Sequence, residues 1–83
     1  MKVQVRYFAS LREALGASEA IELAEGATVG TLRDTLLALG GRHAEVLARG
    51  RAVRTALNQV MCDEQAALSD GAEVAFFPPV TGG

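Results

Sequence analysis

The residues best placed to do chemistry stand at the end of the chain. Phe76-Phe77-Pro78-Pro79-Val80-Thr81-Gly82-Gly83 begins as an apolar strand, stiffens at two prolines and runs out in two glycines. Proline has a fixed φ and no amide hydrogen, so Pro78 and Pro79 end a hydrogen-bond ladder and hold Phe77 and Pro78 toward extended backbone. Val80 to Gly83 then reach roughly 13 Å at ~3.3 Å per residue. Gly82 and Gly83 have no Cβ, so this end can thread a passage that any side chain would block. The group it carries forward is the Gly83 carboxylate. A carboxylate is a poor acyl donor, because its leaving group would be an oxide. Joined to AMP it becomes a mixed anhydride with a good leaving group. A sulfur nucleophile that displaces AMP leaves a thiocarboxylate. Such chemistry asks no base or nucleophile of the chain itself.

Side chains that could supply one are scarce. His43 is the sole histidine and falls where a loop is expected, with a surface or capping role. Cys62 is the sole cysteine, so no internal disulfide can form, and its inward parity predicts a small buried thiol. Cys and His are too few for a structural zinc site, so no metal is expected.

Eighty-three residues, 49% hydrophobic and 22% charged, describe one small globular domain spanning residues 1–83, with a tail over 78–83. A net charge of −2 gives no reason to expect nucleic acid or an anionic membrane as partner. Met1-Lys2-Val3-Gln4-Val5-Arg6 lacks an apolar signal region, and no apolar run approaches a membrane span. A reducing, cytoplasmic compartment is expected.

The elements that must position the tail are read from periodicity. Residues 2–8 alternate, with Val3, Val5 and Tyr7 on one face and Lys2, Gln4 and Arg6 on the other. Ala9 to Leu15 reads as a short helix, with Ser10 as its cap and Gly16 as its stop. Glu19 to Leu23 alternates again, Ile21 and Leu23 inward, and can pair with the first strand. Thr28 is suited to cap the main helix, in which Val29, Leu32, Leu36 and Leu39 form a narrow apolar stripe; Arg33 and Asp34 are expected off it. Gly40-Gly41 stops this helix. One or two helical turns are expected within 44–48. Arg42, Arg49, Arg51 and Arg54 are expected as solvated charges, with contact to an acidic patch on a partner as the alternative. Val53 to Leu57 and Val60 to Cys62 read as strands joined tightly through Asn58-Gln59. Asp70-Gly71 is a turn and Glu73 to Phe77 the last strand. The order predicts a mixed sheet around one helix, an α+β architecture, in which the first and last strands can be central neighbours.

Parity leaves three large apolar side chains on the face away from the helix: Phe8, Met61 and Phe77. A cluster of this kind beside the tail marks a partner surface, and aromatic residues and Met are the types that anchor interfaces.

Residues Glu73 to Gly83, with Phe8-Ala9, Leu11-Arg12-Glu13, Leu57-Asn58-Gln59 and Ser69-Asp70-Gly71, resemble the small subunits of molybdopterin synthase, sulfur carriers of the ubiquitin-like β-grasp fold. The resemblance covers essentially the whole chain. It implies about five strands packed on one main helix. It implies that an E1-like activating enzyme uses ATP to adenylate Gly83, which then becomes a thiocarboxylate, with no permanently bound cofactor. The tail, through Val80, Thr81 and Gly82, would enter a pocket of the large synthase subunit and give its sulfur to a cyclic pyranopterin monophosphate, building the dithiolene that binds molybdenum. The small subunit would be non-catalytic, placed at the two ends of a large-subunit dimer in a heterotetramer. Its interface would map onto Phe8, Met61 and Phe77, with Arg12 near the root of the tail. Met61 departs from the leucine expected there but keeps size and apolarity. The arginine-rich stretch 42–54 aligns poorly and inherits no role. Two other readings stay open: a sulfur carrier for thiamin or cysteine synthesis, and a ubiquitin-like modifier joined to lysines through Gly83.

Overall fold

A computed structural model describes residues 1–79. The predicted tail positions Val80, Thr81, Gly82 and Gly83 lie outside the described residues. The elements run β1 (Lys2–Tyr7), α1 (Ala9–Leu15), β2 (Ser18–Glu22), α2 (Val29–Ala38), α3 (Gly41–Val46), β3 (Arg54–Leu57), β4 (Val60–Cys62) and β5 (Glu73–Phe77).

Strict alternation in β1 buries Val3, Val5 and Tyr7 while Lys2, Gln4 and Arg6 stay exposed. β2 folds back antiparallel on it, with Ile21 opposite Val3. β5 runs parallel to β1 on the other side, pairing Val74 with Val5 and Phe76 with Tyr7. β3 and β4 complete the order β2-β1-β5-β3-β4. The last strand is therefore central, and the chain leaves the body from the middle of the sheet. The tight connection before β4 has Asn58 and Gln59 both at positive φ, 50° and 70°, the left-handed pair that a two-residue hairpin requires.

α2 covers one face of the sheet. Thr28 caps it as expected: its hydroxyl accepts the N–H of Thr31, and the Thr31 hydroxyl accepts the N–H of Thr28. Val29, Leu32 and Leu36 are fully buried against Val3, Val5, Val74 and Phe76. Gly40 ends the helix at φ 74°.

Several expectations are corrected. Leu39 is 56% exposed rather than part of the stripe, because the helix stops at Ala38 and the chain turns away at Gly40. Arg33 is 4% exposed rather than off the stripe. It stands four residues after Val29 and three before Leu36, spacings that share a helix face. Ser10 lies inside α1 and does not cap it; Phe8 is the N-cap, with no side-chain cap bond. His43 sits in α3, which begins at Gly41, and not in a loop.

Candidate functional site

The site is built around the two faces of β5. Val74 and Phe76 point to the helix side and are fully buried, Phe76 stacking on Tyr7 with ring centroids 6.3 Å apart. This pairing anchors the strand that carries the tail. Ala75 and Phe77 point the other way, toward the open face, and are half-buried. Pro78 and Pro79 follow at once, and the ladder stops there.

Register places the remaining open-face residues. Phe77 stands opposite Arg54, and Ala75 stands opposite both Arg6 on β1 and Ala56 on β3. Ala56 in turn faces Met61. One line across the sheet therefore reads Arg6, Ala75, Ala56, Met61, with small side chains at its centre. Phe8 extends β1 toward the tail end, its N–H donating to the Phe76 carbonyl at 3.2 Å. Phe8 is 40% exposed and Met61 55% exposed. The Arg6 guanidinium lies 5.7 Å from the Phe8 ring centroid and 3.8 Å from the Glu73 carboxylate.

The structure thus brings Phe8 and Phe77 to the same end of the sheet. Met61 shares their face but lies beyond the two alanines, on the edge strand. Arg12 is exposed on α1, one turn after Phe8, and its N–H meets the Phe8 carbonyl at 3.4 Å. Behind the tail root, Pro78 borders a cleft of about 440 Å³ whose walls include Leu11, Val46, Arg51 and Val53.

Two polar clusters escaped the sequence reading. The first joins Tyr7, Glu19 and His43. The Tyr7 hydroxyl donates to Glu19 Oε2 at 2.7 Å, and His43 Nε2 lies 2.7 Å from the same oxygen. Burial of the phenol, reinforced by its bond to the Glu19 carboxylate and by that charge, pushes the Tyr7 pKa far above its ordinary value. Tyr7 is thus held as a neutral donor. The second cluster joins Arg33, Arg49, Asp34 and Glu64. Arg33 Nη1 donates to Glu64 Oε2 at 2.8 Å, and Arg49 bonds both Glu64 and Asp34. Arg49 is exposed, as expected of a surface charge, but it is paired within the chain. Arg51, Arg42 and Arg54 are all exposed, and Arg51 donates to the Glu45 carbonyl at 3.0 Å. The one signal for Arg33 was its spacing from Val29 and Leu36.

Cys62 is half-buried and not the fully buried thiol expected, because it ends the edge strand β4; its Sγ lies 3.6 Å from Thr55 Oγ1. Among the described residues no group of three or more His, Cys, Asp or Glu is arranged to hold a metal ion. No helix among them is long and apolar enough to cross a membrane.

A five-stranded mixed sheet with a central parallel pair, wrapped on one main helix and ending in its central strand, is the ubiquitin-like β-grasp. The chain belongs to the ThiS family, whose model matches residues 5–83. It is 41% identical over 81 residues to the molybdopterin synthase sulfur carrier subunit of Escherichia coli, covering 98% of this chain and 99% of that protein. It is 37% identical over 98 residues to small archaeal modifier protein 3 of Haloferax volcanii, covering all of both. Among solved structures, the complex of subunits 1 and 2 of the molybdopterin-converting factor from Helicobacter pylori contains a chain matched at TM-score 0.71 and 28% identity, with both chains fully covered.

Proposed function

We propose that this protein is the sulfur-carrying small subunit of a molybdopterin synthase. The observation that carries the reading is full-length kinship to sulfur carrier subunits of that enzyme. The geometry at the root of the tail supports it. β5 is locked into the sheet through Phe76, and Phe77 faces outward where the prolines end the ladder.

In this reading the Gly83 carboxylate attacks the α-phosphate of ATP on an E1-like enzyme. Pyrophosphate leaves and an acyl-adenylate forms. A sulfur nucleophile then displaces AMP, leaving a thiocarboxylate on Gly83. Val80, Thr81 and Gly82 thread it into the large subunit, which supplies the catalytic groups for sulfur transfer to the pterin precursor. Phe8, Met61 and Phe77 form the apolar contact with that subunit, and Arg12, one turn after Phe8, joins it near the root of the tail. The likeness to a converting-factor chain solved with its subunit 2 supports the large subunit as partner. A cytoplasmic heterotetramer, with two copies of this chain at the two ends of a large-subunit dimer, completes the proposal.

Intact mass spectrometry after incubation with the activating enzyme, ATP and a sulfur source tests it. The expected result is the mass gain of one sulfur replacing one oxygen, lost on deletion of Gly83. An unchanged mass with an enzyme competent on a related carrier overturns it.

A second reading is favoured by the relative that is a small archaeal modifier protein. The same activated Gly83 would acylate lysine amines. Isopeptide-linked adducts of this chain in cell extracts would identify that use.

A further inference from the structure

Arg54 begins β3 on the open face, directly across from Phe77. Side chains paired in this way have Cβ atoms about 4.5–5.5 Å apart. A surface that covers Phe77 therefore covers the Arg54 guanidinium as well. Arg54 is exposed, and among the described residues it forms no ion pair. Asp63 follows Cys62, the partner of Thr55 across β3 and β4, but its Oδ1 accepts the N–H of Gln65 at 2.8 Å and it forms no ion pair with Arg54. The arginine beside the other aromatic is different: Arg6, over Phe8, already has Glu73 at 3.8 Å. A guanidinium taken out of water without a counter-charge is strongly destabilising. A partner that seals Phe77 from solvent must therefore supply what Arg54 lacks.

The wider charge distribution agrees. Arg12, Arg51 and Arg54 are exposed around the end of the sheet where Phe77 and Pro78 lie. The opposite end carries Glu22 and Asp70 beside Lys2. The chain as a whole is acidic, at net charge −2, so the basic end is a local feature and not a general excess.

We propose that the protein surface receiving Phe77 carries a carboxylate set against Arg54, at the rim of an otherwise apolar patch, and that this pair selects the partner. The inference rests on the reading of the large subunit as that partner. It adds the chemistry the large subunit must present and a specificity-determining residue outside the apolar trio.

The test is calorimetric titration of the large subunit from the same source with four forms of this chain: wild type, Arg54→Glu, Arg54→Gln and Arg42→Glu. Arg42 is the control, because it is exposed on α3, which packs with α1 and α2. Arg54→Glu is expected to weaken binding about 30-fold or more, Arg54→Gln about 10-fold, and Arg42→Glu less than about 3-fold. Arg54→Gln is also expected to flatten the salt dependence of affinity, and it keeps the test valid should the charge reversal impair folding. Equal affinities for wild type and both Arg54 variants overturn the carboxylate contact while leaving the large subunit as partner. A wild type that does not bind the large subunit overturns the functional reading and this inference together.

Discussion

The Arg33 guanidinium, 4% exposed, meets the Glu64 carboxylate at 2.8 Å. Its other donors reach the carbonyls of Leu47 at 2.8 Å, Ala48 at 2.7 Å and Arg51 at 3.2 Å. One side chain on α2 thus fastens the segment before β3 and the loop after β4. Gly30, one turn earlier, lets the helix come this close: its N–H donates to the Glu64 carbonyl at 2.8 Å, and an added Cβ would lie 3.2 Å from that oxygen. The fastened segment forms part of the cleft wall beside Pro78. A buried charge thus contributes to the wall beside Pro78 through the segment it fastens.

This relationship sets a dependence on pH. Burial raises the Glu64 pKa, but the hydrogen bonds from Arg49 and Arg33 outweigh it and hold the carboxyl below its ordinary value. A lowered folded pKa contributes stability that is present above the unfolded value and lost as pH falls through the folded one. Urea unfolding midpoints are expected to drop on acidification below about pH 4.3, the ordinary glutamate value. Glu64→Gln should start lower at neutral pH and show a shallower acid slope. Parallel acid profiles for the two proteins would remove Glu64 from the account.

Adjacent residues on β5 should behave oppositely. Phe76 is fully buried and stacked on Tyr7, so Phe76→Ala is expected to cost about 3–5 kcal/mol of stability. Phe77 is half-buried on the open face, so Phe77→Asp should leave circular dichroism and the melting transition nearly unchanged. It should weaken large-subunit binding by removing the aromatic contact and by giving Arg54, directly across, a carboxylate within the chain in place of one from the partner. Unfolding by Phe77→Asp, or undiminished binding measured by calorimetry, would show the two faces to be wrongly assigned.

The hairpin turn before β4 offers a gain of stability. Gln59 holds φ 70°, a region that costs a residue with a Cβ about 1–2 kcal/mol. Gln59→Gly is expected to raise stability by roughly 1 kcal/mol, read as a higher urea midpoint. Asn58, also at positive φ, is different, because its Oδ1 accepts the N–H of Glu73 at 3.0 Å. Asn58→Gly should therefore gain less or lose stability. A lower midpoint for Gln59→Gly would contradict this account of the turn.

Much of the fold is legible because local rules act within a few residues. The alternation of Val3, Val5 and Tyr7 and of Val74 and Phe76 shows which face each strand buries. Thr28 and Gly40 bound the main helix through chemistry that its own termini demand. Phe8, Met61 and Phe77 stand out because they break the same alternation. Arg33 was missed because a charged residue reads as solvent-facing unless partners for it can be seen. Its partners lie 14 to 31 residues away in sequence. The same holds for His43, whose contact with Glu19 spans 24 residues.

By itself the sequence determined the period of each strand and helix and the stiff Pro78-Pro79 exit. Those features depend on covalent geometry and on neighbours close along the chain. Only the tertiary structure decided that β5 lies between β1 and β3, and so that Phe77 faces Arg54 while Phe76 stacks on Tyr7. It also decided that Arg33 turns inward and that Phe8 and Phe77 share one end of the sheet. These depend on strand pairings between distant segments, and a period of two shows which side a residue faces but not which residue stands across from it.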